Sequence, residues 1–328
     1  MSVRRGVFTK GVAGLYTRNA FCVEIGTAGT HTDQFNMLKL ETTTSSAWKV
    51  TQINTSPSVY LDHWALREIS ADSGLCDSFC EAIKGRDGMV EISWINLLDF
   101  SGVSDLSQVK AAEDFLDRLS PHNIGFINAN VQSVVDFENN ILRNERIVKD
   151  PHVDYELLKA FALHRSGTMK ICSFKGFFLS IQKKRQKLDK MRRSFLYNLS
   201  DRLTSLRAKV QQPERLKNLQ KTPKGHPAVQ HLTRYIVDEV TKYILRGNMG
   251  ITSNDWCDIH HAMVPLAYCD FVLLDQRWHT IMKQIQDRLR KAKHDKKMAE
   301  VFCGRNLNSF LEKLSLPQET SSRTLLGL

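Results

Sequence analysis

Two aspartates close short apolar runs: Asp62 follows Ser58-Val59-Tyr60-Leu61, and Asp275 follows Phe271-Val272-Leu273-Leu274. Each is expected at the carboxyl end of a strand, the edge of an open α/β sheet where ligands bind. Asp258 falls in the first turn of a helix expected to start near Asn254 and to feed the strand before Asp275; Ala262 lies one turn on, so the Asp258 side chain can turn back toward the same crevice. Asp99, closing Ile95-Asn96-Leu97-Leu98, supplies a fourth carboxylate from a neighbouring helix. Carboxylates crowded in this way raise one another's pKa; a hard divalent cation relieves the repulsion, and an all-oxygen donor set selects Mg²⁺ or Mn²⁺ over zinc. A cation held there polarises a phosphodiester oxygen and lowers the pKa of a bound water, which is the chemistry of hydrolysis.

Other chemistries have weaker support. His260 and His261 are adjacent, so they do not share a helix face, and no HExxH frame surrounds them. No GxSxG elbow occurs and no cysteine sits in a base-bearing motif. The seven cysteines (Cys22, Cys76, Cys80, Cys172, Cys257, Cys269 and Cys303) are odd in number and scattered without a CxxC pair, the pattern of reduced, mostly buried thiols in a cytoplasmic protein. No window approaches the roughly 20 apolar residues that span a bilayer, so no membrane partner is expected. The start MSVRRGVFTKGV lacks an apolar signal core, and its Arg4, Arg5, Lys10 and Arg18 are read as a frayed terminus.

The elements that must position the carboxylates follow from periodicity. Residues 1–57 are rich in Thr, Ser and Gly with no sustained period, and are expected to be a poorly ordered arm or small appendage. After the first strand, Trp64, Leu66 and Ile69, then Leu75, Phe79 and Ile83, recur at helical spacing until Gly85 and Gly88; Met89–Ser93 reads as a second strand. Residues 105–250 read as a long helical insertion, with Val229, Leu232, Ile236, Val240 and Ile244 marking one helix face. Residues 251–316 return to strand and helix alternation: a helix capped by Asn254 or Asp255, the strand before Asp275, a helix through Ile281 and Ile285, a strand over 299–303 and a helix over 307–314, with 317–328 as a tail. The expected fold class is α/β, a mainly parallel sheet covered by helices with right-handed crossovers.

The 328 residues carry 46 Lys and Arg against 35 Asp and Glu, a net +11 that favours a polyanionic partner. Residues 181–225 alone hold fourteen cations against Asp189, Asp201 and Glu214, an excess equal to that of the whole chain. Lys183, Lys184, Arg185, Arg192 and Arg193, interleaved with Phe195, Tyr197 and Leu199, are expected to contact phosphates without reading sequence. Arg277, Trp278 and Trp64 stand beside acidic positions and can meet a phosphate or stack on a base, although core packing is the commoner fate of both tryptophans.

Several of these segments resemble PIN-domain nucleases. VYLDHWALREI resembles their opening strand and helix, ISWINLLDFSG the second strand with its acidic residue, DIHHAMVPLAYCDFVLLDQRW the third acidic helix and the strand bearing the fourth acid, and EVFCGRNLNSFLEKL the closing strand and helix. The resemblance covers about 58–101 and 254–315. It implies a Rossmann-like three-layer α/β/α sandwich, a PIN-like core split into 58–104 and 251–316, and an endoribonuclease that cuts RNA, single-stranded by preference, with one or two Mg²⁺ or Mn²⁺ ions. The family's acids fall on Asp62, Asp99, Asp258 and Asp275. Two departures stand out: the second acid is Asp where the family usually has Glu, leaving Glu91 as a substitute, and the chain is longer than the compact toxins of toxin–antitoxin pairs. An inhibitor or antitoxin and a homodimer are partners that family analogy allows.

Each acid also has an ordinary reading, since aspartate after a strand is a common turn residue and at a helix start a common cap. Asp255 competes with Asp258 for the site, and Asp270 is expected to be structural. The rival functions are an inactive PIN-like RNA-binding module, a DNA-directed nuclease and an interaction scaffold. The first predicts salt-sensitive binding without turnover.

Overall fold

The computed structural model describes residues 21–25, 38–42, 48–120, 122–142, 152–165, 173–186, 232–246, 252–291 and 297–316, with isolated positions between 190 and 208. Strands β1 (Phe21–Ile25), β2 (Leu38–Thr42) and β3 (Trp48–Gln52) form a sheet of order β1-β3-β2, β1 parallel and β2 antiparallel to β3. The stretch expected to be a poorly ordered arm or a small appendage contains this sheet. Its signal is the alternation in FCVEI, LKLET and WKVTQ, five residues at a time, which the Thr- and Ser-rich sequence between them conceals.

The main sheet contains β4 (Ser58–Leu61), β5 (Met89–Ile92), β6 (Ile124–Phe126), β7 (Phe271–Leu273) and β8 (Glu300–Phe302), in the order β6-β5-β4-β7-β8 and parallel throughout. The chain winds outward from β4 through β5 to β6, returns to β7 on the other side of β4, and ends at β8. Neighbouring connections therefore leave β4 and β7 in opposite directions, which opens a crevice beyond their carboxyl ends. Strand β6 lies inside 105–250, so this stretch is not wholly helical; Ile-Gly-Phe is too short to show a period.

Around the sheet run α1 (His63–Ala71), α2 (Ser73–Lys84), α3 (Trp94–Gly102), α4 (Leu106–Leu119), α5 (Val131–Leu142), α6 (Tyr155–Arg165), α7 (Phe177–Gln182), α8 (Leu232–Arg246), α9 (Ser253–Tyr268), α10 (Gln276–Lys291) and α11 (Leu307–Ser315). The helical period after β4 is broken in two by Asp72, whose side chain accepts from Leu75 N–H at 2.9 Å and starts α2. Helix α9 is capped by Thr252 rather than Asn254 or Asp255: Thr252 N–H donates to Asp255 Oδ2 at 2.9 Å, and Asp255 N–H donates to Thr252 Oγ1 at 3.2 Å.

Alternation along the strands divides the core. Val59, Leu61, Val90, Ile92, Phe126, Leu273 and Phe302 join one buried cluster with α1, α2, α4, α6, α7 and α11. Tyr60, Val272 and Val301 join another with α5, α8, α9 and α10. Helices thus cover both faces, which is why β4 and β5 are buried at every position and read as apolar runs instead of alternating ones. Each fully buried Leu, Ile or Phe contributes roughly 1.5–3 kcal/mol, and these two clusters fix the heights at which the strand ends emerge. Among the described residues Cys76, Cys80, Cys257, Cys269 and Cys303 are buried and form no disulfide, and no helix is long and apolar enough to cross a membrane.

One close approach sits within the sheet. A Cβ at Gly125 would lie 2.2 Å from Met89 Cε and 2.7 Å from Glu91 Oε2 on the adjacent strand. Gly125→Ala is predicted to cost roughly 1–3 kcal/mol through overpacking, read as a lower urea midpoint at unchanged m-value.

Candidate carboxylate site

The ends of β4 and β7 are tied together. Asp62 N–H donates to Leu273 O at 3.1 Å, continuing the ladder one residue past the strand, and Asp275 N–H donates to Asp62 Oδ2 at 2.8 Å. Asp62 Oδ1 accepts from Ala65 N–H at 2.8 Å and caps α1, while Asp275 Oδ1 accepts from Trp278 N–H at 2.8 Å in the first turn of α10. Both aspartates therefore occupy helix N-termini, where the backbone favours negative charge. Asp258 Oδ2 accepts from the indole N–H of Trp278 at 3.0 Å, so Trp278, only 1% exposed, bridges Asp275's helix to Asp258 on α9. This tryptophan is a buried brace and does not face solvent as a stacking platform.

Asp62, Asp258 and Asp275 thus meet at one crevice, and their electrostatics reflect it. Burial raises the Asp62 carboxyl to about 7, with Asp275 adding to the rise against the opposing pull of His261 and the two backbone N–H groups. Burial likewise raises Asp258 to about 7, reinforced by Asp275, Asp99 and Asp62 and opposed by His261. Near neutrality these carboxyls hold protons that a divalent cation would displace. The donor chemistry, all carboxylate oxygen, fits a hard cation such as Mg²⁺ or Mn²⁺. The side chains are nevertheless not gathered on a point: among the described residues no three His, Cys, Asp or Glu groups form a set that could hold an ion.

Asp99 is placed differently from the other three. It lies inside α3, and its Oδ2 accepts from His261 Nε2 at 2.8 Å. Burial pushes its carboxyl up, but the His261 hydrogen bond and charge, His63 and Cys257 together hold it below the usual range. His261 is in turn 2.5 Å from Tyr60 Oη through Nδ1, Tyr60 Oη is 2.8 Å from Ser93 Oγ, Ser93 Oγ donates to Asn96 Oδ1 at 3.0 Å, and Asn96 Nδ2 donates to Leu61 O at 2.9 Å. The directions are forced. A backbone carbonyl only accepts, so the Asn96 amide is oriented and its oxygen receives Ser93 O–H; Tyr60 O–H then donates to Ser93, and His261 Nδ1–H donates to Tyr60. With Nε2–H on Asp99, the ring carries both protons. Its pKa is raised in accord: burial opposes the charge, but the hydrogen bond and charge of Asp99, with Asp62 and Asp258, outweigh it.

The other sequence candidates fall elsewhere. Glu91 is 2% exposed on β5, raised to about 8 by burial alone, and level with Tyr60 instead of at the strand end, so it does not join the aspartates. Asp255 belongs to the α9 capping box and accepts from Arg277 Nη1 at 2.5 Å, so Arg277 is engaged with a buried carboxylate. Asp270 sits before β7, at the opposite end of the sheet, accepting from Ser56 Oγ at 2.7 Å and Ser58 N–H at 2.9 Å. Trp64 is partly buried against the first cluster and lies over Gly304. Of the basic segment, Lys183, Arg185 and Arg193 are exposed and Lys184 is half-buried, while Arg192 lies outside the described residues. The segment leaves α7 beside α3: the Phe178 ring packs at a tilt against Phe100 with centroids 5.0 Å apart, and Gln182 Nε2 donates to Val103 O at 2.6 Å.

Sequence reasoning passed over His261, Tyr60, Ser93 and Asn96. The available signals were His261 one helical turn after Asp258, and the Ser-x-x-Asn capping pattern between β5 and α3. His260, its neighbour, bonds Trp256 O at 3.0 Å and takes no part.

The raised Asp62 carboxyl sets a stability slope. Its folded value of about 7 exceeds its ordinary 3.8, so as pH rises from about 4 the unfolded chain ionises first and the native state loses ground until both are ionised above about 7. Asp62→Asn removes this loss, while the weakened acceptor for Asp275 N–H is a pH-independent offset. The melting temperature of Asp62→Asn relative to wild type, in metal-free buffer, is predicted to climb between pH 4 and pH 8; a flat difference contradicts the assignment. Comparison of the chain with protein-family models, curated proteins and solved structures returns no match.

Proposed function

We propose that this chain is a PIN-like, Mg²⁺- or Mn²⁺-dependent endoribonuclease whose metal ligands and catalytic acids are drawn from Asp62, Asp99, Asp258 and Asp275. The observation that carries the reading is the meeting of Asp62, Asp258 and Asp275 beyond the carboxyl ends of β4 and β7, two of them raised to about 7. An ordinary structural role does not account for the set: capping one helix needs one carboxylate, and it gives no reason to bury Asp62 and Asp258 and to set Asp275 where it further disfavours their charged forms. Perturbed carboxyls in a sheet-edge crevice are the pattern of a functional site.

In this reading Asp62, Asp258 and Asp275 hold the cation, which when bound supplies Lewis-acid polarisation of the scissile phosphate and an activated water. The chain's own residues do the rest. The backbone N–H groups of Ala65 and Asp275 fix both Asp62 oxygens, and Trp278 fixes Asp258, so the donors are preorganised on rigid elements. The basic segment, leaving α7 beside the helix that carries Asp99, would draw a polyanion along the crevice through phosphate contacts that are insensitive to sequence. That neutral grip on the backbone suits single-stranded RNA, and family resemblance favours RNA over DNA.

The test is cleavage of end-labelled single-stranded RNA, beside DNA of the same sequence, by full-length protein in Mg²⁺, Mn²⁺ or EDTA. Cutting is expected with either metal and not with EDTA, and Asp62→Asn and Asp275→Asn are expected to reduce it by at least about 10²-fold while remaining folded. Undiminished cutting by both variants overturns the reading; RNA that is bound in a salt-sensitive manner but never cut favours the inactive binding module, and preferential cutting of the DNA moves the substrate.

A further inference from the structure

We infer that Trp64, Arg67 and Arg305 form a second contact surface on the carboxyl edge of the sheet. It takes one unpaired nucleotide of a single strand, the base on the indole and the phosphates on the two guanidiniums. The inference rests on the nuclease reading and deepens it: the strand is gripped on both sides of the aspartates, and is therefore cut internally.

The surface is built by a close approach across the sheet. Trp64 lies two residues after Asp62, in the first turn of α1, and packs against the core cluster on that face. Its six-membered ring reaches past the end of β7 to the turn after β8, where a Cβ at Gly304 would be 2.9 Å from Cζ2 and 3.0 Å from Cη2. Glycine is what lets backbone and indole meet there, at the strand ends where ligands of an open α/β sheet bind. The turn Gly304–Asn306 is itself held: Cys303 N–H donates to Asn306 Oδ1 at 2.6 Å, and Cys303 Sγ donates to Gln276 Oε1 at 3.2 Å, at the start of α10. A half-buried indole resting on an exposed glycine is a rigid apolar platform within reach of solvent, the kind of surface on which an unpaired base stacks whatever its identity.

Two exposed cations flank the ring. Arg67 is three residues after Trp64 and so its neighbour on the surface of α1, and Arg305 follows Gly304. Arg277, by contrast, is taken up by Asp255 at 2.5 Å. Glu68, the exposed residue after Arg67, lies about 100° further round the helix, which leaves the Arg67 side of the ring as the cationic one. The basic segment departs from α7 beside α3, the helix that follows β5, whereas Gly304 follows β8. In the order β6-β5-β4-β7-β8 these stand on opposite sides of the strands that end in Asp62 and Asp275, so a polyanion that touches both crosses the aspartate crevice.

The probes are a labelled single-stranded RNA, its DNA counterpart and the RNA duplex, each bound to full-length protein in EDTA, with thermal melts confirming that variants fold. Arg67→Gln and Arg305→Gln are each expected to weaken binding of either single strand about threefold to tenfold and to flatten the slope of log affinity against log salt by about 0.7. Trp64→Leu is expected to weaken it at least about fivefold, and Trp64→Phe, which keeps a ring, less than about threefold. In fluorotryptophan-labelled protein, the fluorine resonance missing from Trp64→Phe is expected to shift on adding either single strand and to stay in place with the duplex. A Trp64 resonance unmoved by saturating single strand, or unchanged affinity and salt slope in both arginine variants, overturns the inference, and metal-dependent cutting then leaves the nuclease reading standing. Release of terminal nucleotides alone in Mg²⁺ overturns the two-sided grip. The expected binding pattern without cutting in any divalent metal overturns the nuclease reading and leaves the contact surface, while a wild-type protein that binds neither single strand overturns both.

Discussion

The 2.8 Å hydrogen bond from Asp275 N–H to Asp62 Oδ2 is the constraint on which the site depends. It joins the two strands on either side of the point where the sheet reverses direction, and makes one aspartate the acceptor for the backbone of the next. Once that bond forms, the two carboxyls cannot separate without disrupting the caps of α1 and α10. The proximity that repels them electrostatically is therefore enforced by the fold, with the two core clusters supplying the stability that offsets it.

The surrounding polar groups divide the acids into two electrostatic kinds. Burial, with neighbouring like charges adding to it, pushes Asp62 and Asp258 up to about 7, whereas Asp99, buried but bonded to His261, is held below its ordinary value. Environments that drive chemically identical groups apart are how a fold assigns different roles to them. The tyrosine, serine and asparagine that orient His261 form one buried network, in which every hydrogen is directed by the single carbonyl at its end. Arg277 marks the boundary of this region; its pairing with Asp255 ties α10 to the start of α9 and so helps keep Asp258 in register with Asp275.

Much of this arrangement could be read from the residues. Asp62 and Asp275 were legible because a largely buried parallel strand reads as a short apolar run, and the polar residue that ends it marks the sheet edge. Other parts were concealed for physical reasons. Strand β6 is three residues long, below any period, and the strands of the first 57 residues alternate over only five residues each. The role of Asp99 was only half legible: its presence near the site followed from its spacing, but its ion pair depends on a residue 162 positions away, and contacts of that kind leave no local pattern. Trp278 packs in the core as was the commoner expectation for it, but the use of its indole N–H by Asp258, 20 positions away, had no local signal. The cap of α9 shows a smaller version of the problem, since Thr252, Asn254 and Asp255 are all good cap residues and only the reciprocal bond between Thr252 and Asp255 decides among them.

The central claim is that Asp62, Asp258 and Asp275 together hold a divalent cation at the β4–β7 crevice. Anomalous scattering from crystals of the protein grown with Mn²⁺ tests it most directly. The account predicts a manganese peak within about 2.0–2.3 Å of oxygens from these three side chains, with Asp99 still bonded to His261. No peak in the crevice at saturating Mn²⁺, or one held by residues elsewhere in the chain, would contradict it.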